Sequence, residues 1–193
     1  MIRNIASLLL IGGAMSLSAP AMAQTAAVEG AGAMMCADLI KARDTQDQDR
    51  YSAAAHWVLG YLTAASGYSE DTFDLTPWQT PDIIMAQISQ FCGQNPDKPL
   101  VQATVTYVNY LKPQRLTEPE QLVELRQGTA ALTVYASVLT QVQEKLVALG
   151  RLEAVPEGFD QPTAEAIRTL QGEAKLPETG LPDGRTILHL FNM

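Results

Sequence analysis

From Met34 onward apolar residues recur at helical spacing. Cys36, Leu39 and Ile40 share one face until the polar stretch Asp44 to Asp49 interrupts it. Tyr51, Ala54, Val58 and Leu62 follow at intervals of three and four, with Trp57 and Tyr61 on an adjacent stripe, so the spacing predicts an amphipathic helix over Arg50 to Ala65. Ser66 to Gln79, with Gly67, Pro77 and several polar residues, reads as a loop. Thr80-Pro81-Asp82 then offers an N-cap, a proline at the first helical position and an early acid. Ile84, Ile88, Phe91 and Cys92 lie on one face of that helix, and Gly93 is placed to end it in the left-handed conformation. Asp97 to Leu111 repeats the pattern until Pro113 stops it. Thr117-Glu118-Pro119-Glu120 has the capping-box form and predicts a short helix ending near Gly128.

The remainder is helical by the same reasoning. Thr140 and Gln143 can cap a helix whose buried face is Val142, Leu146 and Leu149, with Gly150 as terminator. Ala130 to Leu139 is also apolar, and its β-branched Thr133, Val134 and Val138 leave helix and strand open there. Asp160 or Gln161, followed by Pro162, opens the next helix, with Ala166, Ile167, Leu170 and Ala174 as its stripe; Asp183 caps a last one holding Ile187, Leu188 and Phe191. Apart from a short stretch, Thr133 to Val138, no segment sustains period-two alternation. The expectation is an all-α chain: a helical domain over 34–112, a connector over 113–137, and a three-helix bundle over 138–193.

The N-terminus adds a destination. Arg3, the apolar run Ile5 to Met15 and Ala21-Met22-Ala23 have the order of a signal peptide over residues 1–23, with cleavage near Gln24 and delivery to the periplasm. Gly12-Gly13 breaks the apolar run, which is well short of the ~20 residues that span a bilayer. Residues 24–33, rich in Ala and Gly, read as a flexible leader. The formal net charge is −8, and losing Arg3 makes the exported chain one charge more negative. With acids in both halves and no basic cluster, neither nucleic acid nor an anionic membrane surface is an expected partner. Cys36 and Cys92 are the two cysteines of a chain that meets an oxidising compartment, so a disulfide is expected. Zinc prefers four ligands, and only His56 and His189 could assist the thiols, which argues against a metal site.

Catalytic motifs are missing from the sequence: it has no Gly-x-Ser-x-Gly, His-Glu-x-x-His, P-loop or Gly-x-Gly-x-x-Gly. His56 stands beside Trp57 with no nucleophile at a suggestive spacing. Glu70-Asp71 is an acid pair in a loop, where such pairs are ordinarily solvated surface. The expectation is a protein without catalysis, metal or cofactor.

Val142-Gln143-Glu144-Lys145-Leu146, Leu149-Gly150, Phe159, Thr163, Ala166-Ile167, Leu170-Gln171, Leu176, Thr179-Gly180 and Thr186 follow the order and spacing of a known wall-associated module. Residues 138–191 resemble the peptidoglycan-binding domain appended to cell-wall hydrolases. The resemblance implies a three-helix fold and peptidoglycan as ligand. The chain departs from the family pattern at Pro156-Glu157-Gly158, where Gly stands one residue closer to Thr163, and at Arg151, Asp160 and Leu170. Near the family-like loops, Arg151, Phe159, Gln161 and Arg185 are the candidate ligand-binding residues. An aromatic face stacks on a sugar ring, and guanidinium groups pair with carboxylates of wall peptides.

Cys36, the run Trp57-Val58-Leu59-Gly60-Tyr61-Leu62 and the run Phe91-Cys92-Gly93-Gln94-Asn95-Pro96 make a second pattern. Residues 34–112 resemble the HdeA/HdeB-like small exported helical domains, and some type VI secretion immunity proteins are similar in layout. The resemblance implies a disulfide that ties a first helix to a later one, and a domain that associates with proteins, as an acid-stress chaperone does when it opens at low pH. Loss of charge on Glu70, Asp71 and Asp74 would supply that response. Together the readings give a periplasmic protein that holds its N-terminal module at the wall to meet a periplasmic protein. The alternative is a chaperone or inhibitor whose C-terminal domain is a platform for protein contacts.

Overall fold

The computed structural model describes residues 27–193. The expected signal peptide and the first leader residues lie outside the described residues. Within them the chain forms seven α-helices and one two-stranded hairpin.

Four helices build the first core: α1 (Cys36–Asp44), α2 (Gln48–Tyr68), α3 (Pro81–Gln94) and α4 (Leu100–Leu111). Their apolar stripes meet where the spacing placed them, burying Leu39, Val58, Leu62, Ile84, Ile88, Leu100 and Leu111. Cys36 and Cys92 are fully buried and joined as a disulfide, which pins the start of α1 to the end of α3. Alongside it, the Cys36 amide donates to the Lys98 carbonyl at 2.8 Å and the Leu100 amide to the Met34 carbonyl at 2.8 Å. The starts of α1 and α4 are thereby locked together.

Three local expectations change. Gly30–Ala33, read as part of a flexible leader, is a 3-10 turn packed on α2. Gly32 is buried directly under the Trp57 indole, where any Cβ would overlap the ring. Small residues here permit close approach. Gly93 does not end α3: the helix runs to Gln94, and Asn95 closes it by donating its side-chain amide to the Phe91 carbonyl at 2.9 Å, with Pro96 following. Thr80 does begin α3, with Pro81 in the first turn, but its hydroxyl makes no capping bond.

The largest change is over residues 117–128. In place of a short helix the chain forms β1 (Leu122–Gln127), and the stretch left open between helix and strand forms β2 (Ala130–Tyr135), antiparallel to it, with Val123 opposite Val134 and Leu125 opposite Leu132. Gly128 takes φ 58° at the first position of the two-residue turn, as a II′ hairpin requires. The chain is mostly helical, as expected, with this one small hairpin added among the described residues. Glu120 does cap a helix, but a later one. Its carboxylate accepts from the Ser137 amide at 2.5 Å and the Ser137 hydroxyl at 2.6 Å, at the N-terminus of α5 (Ala136–Ala148).

α5, α6 (Gln161–Glu173) and α7 (Gly184–Phe191) share a core of Val138, Val142, Leu146, Ile167, Leu170, Ile187 and Leu190. The inward side of the hairpin closes it, with Leu125 and Val134 packed on Leu139 and Leu181. The two helical groups meet along the 69–80 segment. The Phe73 amide donates to the Leu116 carbonyl at 2.7 Å, and the Leu116 amide returns to the Asp74 carbonyl at 2.8 Å. The Tyr135 hydroxyl donates to Asp74 Oδ2 at 3.2 Å, and the Trp78 ring meets Phe191 edge-on with centroids 5.8 Å apart.

Candidate functional site

The C-terminal bundle is set by two caps and two buried amides. Asp160 and Asp183 each accept an amide three residues on, from Thr163 and Thr186, at 2.9 Å in both cases. The Thr163 hydroxyl also donates to Asp160, and this bond leads the effects that hold the carboxyl below its ordinary value. Gln143, 1% exposed, donates to the Gly158 carbonyl at 2.6 Å and fixes the loop before α6. Gln171, fully buried, donates to the Leu181 carbonyl and the Thr186 hydroxyl, each at 2.9 Å, and accepts from the Gly180 amide at 2.8 Å. One side chain thus ties α6, the loop after it and α7. Gly180, at φ 71°, sits against the Ala164 carbonyl, where an added Cβ would stand a tight 3.1 Å away.

The four residues expected to bind ligand are not gathered into one patch. Arg151 makes a two-pronged pair with Glu173, at 3.1 and 2.6 Å, and its side chain is 22% exposed. The bond to Glu173 raises the guanidinium pKa and lowers that of the carboxylate. Gln161 is exposed and donates to Glu165 at 2.8 Å. Glu173 and Gln161 are the two ends of α6, about 18 Å apart at ~1.5 Å per residue. Phe159 is half-buried between the helical core and the hairpin. Arg185, at the start of α7, is exposed and has no ion pair among the described residues.

Of the other sequence candidates, His189 stands close enough to Glu173 to help lower its carboxyl pKa. His56, His189, Glu70 and Asp71 are exposed. Among the described residues there is no group of three or more His, Cys, Asp or Glu placed to hold a metal, and no helix long and apolar enough to cross a membrane.

The family model of the HdeA/HdeB family matches residues 6–102, a little over half of the chain. The chain belongs to the HdeA/HdeB family. Its HdeA/HdeB region contains the whole disulfide-tied pair α1 and α3 and the intervening helix that carries Trp57 and Tyr61. A second model, "Putative peptidoglycan binding domain", matches residues 137–190, which span α5, α6 and nearly all of α7. No curated protein and no solved structure matches the chain. Both matched domains are of binding or chaperone families rather than catalytic ones, and with the disulfide they point to an extracytoplasmic location for this HdeA/HdeB member.

The contact between the two groups is not legible in the sequence. Phe73, Asp74 and Trp78 stand in a stretch that reads as loop, yet all three are engaged by the C-terminal half. The available signal was Phe73 and Trp78, large aromatics in an otherwise polar loop.

Proposed function

We propose that this protein is exported to the periplasm, binds peptidoglycan through its C-terminal bundle, and so holds its HdeA-like domain at the wall, where that domain engages a protein partner without catalysis. The observation that carries the reading is the buried hydrogen-bond network kept at the helix junction of the matched module. Gln143, Gln171, Thr179, Gly180 and Thr186 keep the order of the family pattern, and Gln171 bonds to the last three at the junction of α6 and α7. Of the four ligand candidates, Arg185 and Gln161 offer exposed polar groups. Arg151 would reach a wall carboxylate only by exchanging Glu173 for it, and Phe159 would offer a ring edge. Such contacts are exposed and charge-assisted, so binding should weaken as salt rises.

Cosedimentation of the full oxidised chain with purified sacculi tests this. Saturable pelleting that falls with salt and is weakened by Arg185→Ala supports it; recovery of all the protein in the supernatant rejects it. The second reading, a chaperone or inhibitor with a C-terminal protein platform, draws on the contact between Trp78 and Phe191 and the bond from Tyr135 to Asp74. A C-terminal bundle packed on the HdeA-like domain could act on that domain's partner directly. The same experiment separates the two, because the second reading needs no pelleting.

A further inference from the structure

Between α3 and α4, on the surface of the first helical group, lies an open groove of about 270 Å³. Its floor is aromatic. Tyr107 and Tyr110 lie nearly parallel, 17° between planes and 6.1 Å between centroids, and Phe91 faces them from α3. Tyr110 is 59% exposed, so its ring is available to solvent. The rim is made of amides. Gln87, Gln90 and Gln94 recur at helical spacing along α3, and their side chains make no hydrogen bond to protein among the described residues. The lining holds no carboxylate and no cation, in a chain of net charge −8.

Aromatic faces flanked by free donors and acceptors, with no charge, match a neutral, hydroxylated and amide-bearing ring. Apolar ring faces stack on Tyr110 while hydroxyl and acetamido groups take up the glutamine amides. A purely apolar occupant would leave those amides desolvated and unpaired. The volume lies just below the ~300–1,000 Å³ typical of small-molecule sites, which suits one ring of a chain held in an open groove. We propose that the groove between α3 and α4 is a saccharide subsite for N-acetylated glycan, separate from the C-terminal bundle. The choice of an N-acetylated glycan rests on the wall-binding reading, because the wall supplies that sugar; the groove's own chemistry requires only a neutral hydroxylated ring.

The test is titration of the full oxidised chain with the soluble tetramer of N-acetylglucosamine, followed by NMR of the side-chain amides, beside cosedimentation with sacculi. The expected result is saturable shifts of the Gln87, Gln90 and Gln94 amides. Tyr110→Ala, at an exposed position, should weaken binding about tenfold, the size of a lost stacking contact, and Tyr110→Phe should restore most of it. Groove shifts without pelleting would uphold the subsite and reject C-terminal wall binding. Pelleting with no groove shift at millimolar tetramer would overturn the subsite and leave the C-terminal reading standing. Shifts at these amides from an apolar peptide but not from the tetramer would also overturn it.

Discussion

Replacing Gln171 by Leu keeps side-chain volume close to native while removing every polar contact that the amide makes. Two backbone groups lose their partner: the Gly180 amide, held at 2.8 Å, and the Leu181 carbonyl, held at 2.9 Å, both in buried residues. A buried group left unpaired costs about 1–3 kcal/mol, so the pair costs roughly 2–6 kcal/mol. The new apolar side chain recovers part of this, and the Thr179 hydroxyl, 3.5 Å from the Leu181 carbonyl, relieves little of it. The net expectation is a loss of about 2–4 kcal/mol in the C-terminal bundle. Gln143→Leu strands only the Gly158 carbonyl, in an exposed residue that water can reach, and should cost about 1 kcal/mol. Urea unfolding gives the energies, and hydrogen exchange at the Gly180 amide locates the effect. A Gln171→Leu change within about 0.5 kcal/mol, or a cost below that of Gln143→Leu, would refute the reasoning.

Removing both cysteines, as Cys36→Ser with Cys92→Ser, should cost the HdeA-like domain about 4 kcal/mol by chain entropy for a separation of 56 residues; alkylatable thiols in unreduced protein would contradict the pairing. Gly32→Ala should force the Trp57 ring aside at about 1–3 kcal/mol and shift its fluorescence, and an unchanged spectrum would remove the close packing inferred there. Asp160 and Glu173 have folded-state pKa values held below their ordinary ones, so their stabilisation is complete above ordinary carboxylate values and is lost as pH falls through the depressed ones. The C-terminal bundle should therefore melt earlier below about pH 4, and Asp160→Asn should shrink that loss; identical pH profiles for the two proteins would contradict it.

Features that depend on neighbours in sequence were legible without a structure. Asp160 and Asp183 cap helices because a carboxylate three residues before a free amide needs no distant partner. The helical stripes of α2, α3 and α4 were equally readable. The hairpin was only half legible: β-branched Thr133 and Val134 left a strand open over 130–139, but β1 turns only Val123 and Leu125 inward, too few to set a period. Glu120 looked like part of a local capping box, but it serves Ser137, 17 residues later. The ligand candidates had the same weakness. Arg151 looked free in sequence because its partner Glu173 is 22 residues away, and the burial of Phe159 depends on packing against the hairpin.

The central claim, that the C-terminal bundle engages the wall, is met most directly by NMR titration of the full chain with solubilised peptidoglycan fragments. Backbone shifts within residues 150–186, beside those of the α3–α4 groove, including Gln161 and Arg185 and diminishing as salt is raised, are the expected result. A spectrum unchanged over that segment at millimolar fragment would contradict the claim.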